Sequence, residues 1–114
     1  MKPEQFDELV AEAVKGLPDW VHDALDNVEL FVEPYPPPGQ QDVLGLYHGI
    51  PLTERGNHYT GALPDRITLY RSTLERSSRG DPEQLRQLVC HTVEHELAHH
   101  FGISDDRLRE IGKY

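Results

Sequence analysis

"HTVEHELAHHFGISDD", residues 91–106, carries four of the chain's seven histidines and four of its twenty carboxylates. Read as a helix, the segment places His95 and His99 on one face, about 6 Å apart along the axis. Two imidazoles at that spacing can grip one metal ion. Glu96 lies about 100° around the helix from His95, where it reaches a water at the metal without itself being a ligand. A metal that stays bound and keeps an open position needs a third protein ligand. Gly102 permits a sharp turn that a β-carbon would resist, and the turn swings Asp105 back beneath the two rings.

Chance would produce H-E-x-x-H in a chain with this many histidines and glutamates roughly 4 times in 100; adding Gly102 and Asp105 at their spacings lowers this to roughly a few in ten thousand, so coincidence explains the pattern poorly. The opposite face supports a helix too. Val89, Val93, Leu97 and Phe101 share the side away from His95 and suit a core. Asp81-Pro82-Glu83 is a strong helix start, with an N-cap, a proline at the first position and an acid behind it. Gly102 suits the close, so the spacing predicts a helix from about 82 to Phe101. Ser104 then reads as the N-cap of a last helix over 105–112.

Upstream, residues 3–15 read as a helix with Phe6, Leu9, Val10, Ala13 and Val14 on one stripe. A short helix follows over 19–25, with Asp19 as its expected cap. Residues 28–33 and 43–48 read as strands. Arg66 to Arg71 alternates polar and apolar, the pattern of a half-buried strand. The proline run at 34–38 is a stiff connector, since proline lacks the N–H a central strand needs. Residues 51–65 and 72–81 read as polar loops. The fold class expected is α+β: a small mixed sheet of about three strands against a long motif-bearing helix, flanked by N-terminal helices and a short C-terminal one.

At 114 residues the chain suits a single domain over 1–114. Eleven basic against twenty acidic residues give a net charge of −9, which argues against nucleic acid as a partner. The single cysteine, Cys90, excludes an internal disulfide, and no apolar run approaches the length of a membrane span. With no h-region near Met1, a cytoplasmic location is expected and no membrane partner.

Other residues compete for the site. His91 lies four positions before His95 and offers either a fourth ligand or a partner to the ligands. His100 is turned about 140° from His95 and reads as a non-ligand. Asp106 rivals Asp105 as third ligand, but the spacing favours Asp105. His22, His48 and His58 are isolated and read as surface residues. Cys90 reads as a small buried hydrophobe. Tyr59 and Tyr70 are candidate oxyanion donors that the sequence does not place.

His95-Glu96-x-x-His99-x-x-Gly102-x-x-Asp105 resembles the extended signature of the zincin metallopeptidases, and more narrowly the aspartate-liganded zincins. As a short chain it is similar to the minimal zincin-like domains of bacterial, largely actinobacterial, proteins. The resemblance implies zinc on His95, His99 and Asp105, with Glu96 as general base. It also implies an edge strand above the metal that holds extended peptide, with Arg66 to Arg71 as the candidate. Glu110 follows His99 sooner than glutamate-liganded zincins usually space their third ligand. The larger family carries a methionine turn after the third ligand; here Met1 is the only methionine. No C-terminal subdomain follows Asp105 in this sequence to wall a cleft. Two functions follow as expectations: a zinc-dependent hydrolase of peptide or amide bonds, or a zinc-binding domain of the same fold that acts as an interaction or regulatory module. The oligomeric state is not legible.

Overall fold

Phe6, Leu9, Val10 and Ala13 recur at helical spacing, and all four are buried. Their helix is α1, Pro3–Lys15, opened by the Gln5 side chain accepting from the Lys2 backbone N–H and closed at Gly16. The computed structural model describes residues 1–26, 28–49 and 65–100. Within them α1 is followed by α2 (Asp19–Leu25), β1 (Val28–Glu33), β2 (Gly45–His48), β3 (Asp65–Tyr70), α3 (Arg71–Ser78) and α4 (Pro82–His100). The expected last helix over 105–112 and most of the loop over 51–65 lie outside the described residues, as do His58, Tyr59, Phe101, Gly102, Ser104, Asp105, Asp106 and Glu110.

The sheet is mixed, in the order β1-β3-β2. β3 runs parallel to β1, with Leu30 opposite Ile67, and antiparallel to β2, with Tyr47 opposite Ile67. Ile67 and Leu69 are fully buried, and Thr68 and Tyr70 nearly so. A strand covered on both faces is a central strand. That corrects one expectation: the strand near Arg66 to Arg71 is not an edge. Among the described residues β2 is the edge strand on the side of the motif helix, and it starts two residues later than expected, at Gly45.

Two smaller corrections concern helix ends. Pro18, rather than Asp19, takes the cap position of α2, and Asp19 sits in its first turn. The polar stretch after β3 is a helix, α3, rather than a loop. Serine and threonine lower its intrinsic helix preference, but Leu74 is fully buried and Thr73 and Ser78 nearly so. Tertiary burial therefore outweighs the weak propensity. Arg79, in the left-handed region at φ 55°, and Gly80 at φ 75° close it.

α4 is the organising element. Asp81 Oδ1 accepts from the Glu83 N–H across 2.9 Å, the expected N-cap. Leu85, Val89, Val93 and Leu97 are buried along one side, where the helix packs against α1, α3 and the sheet. That packing turns the histidine side outward, beside β2.

Gly45 sets how closely β2 approaches. A β-carbon there would lie 2.9 Å from Thr92 Cγ2 on α4 and 3.1 Å from the Thr68 carbonyl oxygen. Glycine therefore lets the edge strand rest on the helix one turn before Glu96.

Candidate metal and catalytic site

His95 and His99 project from the last two turns of α4. Their ring centroids are 4.1 Å apart with the planes at 61°. His95 is half-buried and His99 exposed. The two rings therefore stand side by side on one face of the helix, and each carries nitrogens of the kind that ligate zinc. Among the described residues no three His, Cys, Asp or Glu side chains converge as a metal-holding group. Asp105, the expected third ligand, lies outside them.

His91 is exposed, and its ring lies 5.3 Å from that of His95, stacked at 30°. The three rings form a ladder along α4 in which the His95–His99 step is the closer one.

Glu96 turns from the same helix toward the strand. The Tyr47 backbone N–H donates to Glu96 Oε1 across 3.0 Å. The geometry of the antiparallel pair explains why this N–H is available. Leu44 accepts from the Tyr70 N–H, so Leu44, just before β2, and Leu46 and His48 within it point their backbone groups at β3, while Gly45 and Tyr47 point theirs away from it. Between the strand and the helix lies a cavity of about 280 Å³, bordered by Asp42, Leu44 and Gly45 on one side and His91, His95 and Glu96 on the other.

Tyr47 and its neighbours went unnoticed in the sequence. The Tyr47 hydroxyl donates to Asp65 Oδ2 across 2.8 Å. The Tyr47 ring stacks on His100, with centroids 3.8 Å apart and planes 15° off parallel. His100 Nε2 lies 3.7 Å from the same Asp65 oxygen, an ion pair when the imidazole is protonated. Asp65 is 6% exposed. No spacing rule joins residues 47, 65 and 100, so only the fold reveals them. His100 thus faces the strand rather than the other two imidazoles, as its angular position on the helix requires.

The remaining candidates fall elsewhere. His48 is half-buried in β2, and His22 is exposed with a ring nitrogen 3.4 Å from the Lys15 carbonyl. Cys90 is partly rather than fully buried. It packs against the core, where its thiol donates to the Ala13 carbonyl across 3.6 Å. Burial, and then the charge of Glu94, push its pKa up, partly offset by Arg86. Tyr70 is buried in β3, its pKa raised by burial first and by Glu33 second. No helix among the described residues is long and apolar enough to cross a membrane.

The fold agrees with what comparison with known proteins finds. No curated protein matches the chain. Among solved structures it is similar to a conserved hypothetical protein from Thermus thermophilus, with 28% identity and a TM-score of 0.58, over 89% of this chain and 94% of that one. A family model described as zincin-like metallopeptidase matches residues 25–114, which span β1 to β3, α3 and the whole of α4 with its H-E-x-x-H motif. On that match the chain belongs to the zincin-like metallopeptidase family.

Proposed function

We propose that the chain, as one domain over 1–114, is a zinc-dependent hydrolase of peptide or amide bonds. His95, His99 and Asp105 would hold the ion, and Glu96 would act as general base. The carrying observation is the place of Glu96: on the helix that bears the imidazole pair, beside the side of β2 that faces away from β3, and oriented by the Tyr47 N–H. When bound, zinc supplies a water acidic enough to ionise near neutral pH and positive charge for a developing oxyanion.

The chain's own residues do the rest. Oε1 of Glu96 is held by the strand, which leaves Oε2 to accept the water's proton and deliver it to the leaving amine. Among the described residues β2, not β3, is the outer strand, and an extended peptide would add beside it as a further strand. The −9 charge disfavours nucleic acid as substrate or partner.

The test is Glu96→Gln. The zinc-loaded variant should retain its metal and lose hydrolysis across a broad peptide library; unchanged turnover would remove Glu96 from the mechanism.

One observation favours the second reading, a zinc-binding interaction module. The Tyr47 N–H, a donor that an added peptide strand would use, is already engaged by Glu96. Full zinc occupancy with no chelator-sensitive cleavage in the same library supports that reading instead.

A further inference from the structure

We propose that Tyr47 is a positioning residue for Glu96, fixed by a clamp that Asp65 and His100 close around its side chain; the inference rests on the reading of Glu96 as general base. Three contacts define the clamp. The phenol is bonded to Asp65 at 2.8 Å, the ring lies flat on His100 at 3.8 Å, and the backbone N–H of the same residue donates to Glu96 at 3.0 Å.

The two ends of Tyr47 therefore do different work. Its side chain ties the edge strand to the first residue of β3 and to the last residue of α4. Its N–H, on the side of β2 away from β3, holds one oxygen of the carboxylate. A strand edge free to shift by an ångström would let that carboxylate swing away from the imidazole pair. The side-chain anchors remove this freedom at the residue whose backbone makes the contact.

The surroundings are built around the clamp. A β-carbon on Gly49 would lie 2.5 Å from Asp65 Cγ and 2.6 Å from its Oδ1. The chain leaving β2 thus closes directly over the carboxylate, and Asp65 has little room to take another rotamer. Gly45, two residues before Tyr47 and on the same face, brings the strand down onto Thr92. The register of β2 against β3 and its closeness to α4 are both set within five residues of the Glu96 contact.

Amide hydrogen exchange on the full chain without metal or substrate tests the clamp, because Tyr47 and its strand neighbours point to different sides. The Leu46 and His48 amides face β3; that of Tyr47 faces Glu96. In Glu96→Ala the exchange of the residue 47 amide should rise about tenfold while Leu46 and His48 hold their rates. Tyr47→Phe and Asp65→Asn should each raise the same amide's exchange several-fold, and the double variant should add little more.

Equal acceleration across all of β2 would reduce Tyr47 to ordinary packing, and an unchanged residue 47 amide in both single variants would overturn the clamp. In the zinc-loaded protein Tyr47→Phe should lower kcat and leave KM in place, since it disturbs the base rather than peptide binding. A fall in binding alone counts against the proposal. Absence of hydrolysis in every form, wild type included, counts against the peptidase reading and leaves the exchange pattern to decide the clamp.

Discussion

Tyr47 and Glu96 stand 49 positions apart in the chain and are joined by one hydrogen bond of 3.0 Å, from the edge of the sheet to the motif helix. The bond exists because β2 can lie close to α4, and Gly45 permits that approach. Gly45→Ala would place its methyl group 2.9 Å from Thr92 Cγ2 and 3.2 Å from Leu69 Cδ2. The Thr68 carbonyl, at 3.1 Å, is backbone and yields least. Overpacking of this kind costs about 1–3 kcal/mol. Urea unfolding should show a lower midpoint with an unchanged slope, and the variant should lose protection at the Tyr47 amide. A variant as stable as the parent would mean that the strand and helix separate at no cost.

Zinc uptake separates the ligands from their neighbours on α4. Isothermal titration of the metal-free chain should show about one zinc per chain, with proton release as imidazole is taken up in its neutral form. His95→Ala and His99→Ala should each abolish tight uptake, and Asp105→Ala should weaken it severely. His91→Ala should cost no more than the roughly 10–100-fold seen when a residue that supports a ligand is removed. Tight uptake that survives loss of both His95 and His99 would place the metal elsewhere.

Much of the architecture was legible in the sequence because it rests on local rules. The apolar stripe of α1, the Asp81-Pro82 start of α4 and the Val89-Val93-Leu97 face each announce themselves within a few residues, and each is found where expected. Helix α3 was not legible, because its stability comes from burying Leu74 against distant residues rather than from its serine-rich composition. The role of β2 was hidden for a related reason. A short strand that begins with glycine shows little alternation, whereas β3 alternates enough to read as half-buried and so attracts the edge role that the family resemblance implies. Pairing partners decide which strand is central, and pairing is non-local. The motif pair His95 and His99 was visible through helical periodicity alone. Tyr47, Asp65 and His100 meet only through the fold, and no local pattern links them.

The protein should lose stability under alkaline conditions sooner than its charged surface alone would suggest. The Cys90 thiol is raised above its ordinary value of 9.0, by burial first and by Glu94 second. The Tyr70 phenol is raised above 10.0, by burial first and by Glu33 second. In both groups the protonated form is favoured in the folded chain relative to the unfolded one. Their contribution is complete below the unfolded values, and it is lost as pH rises through the folded ones. The thermal midpoint should therefore fall from about pH 9 upward, the thiol acting first and the phenol later. Cys90→Ala should remove the earlier part of that fall and leave the later part, which belongs to Tyr70. Iodoacetamide should also label Cys90 slowly at neutral pH, with a rate that climbs only above the range of a free cysteine. Labelling as fast as that of a free thiol at pH 7 would show that the packing of Cys90 against Ala13 does not shield it.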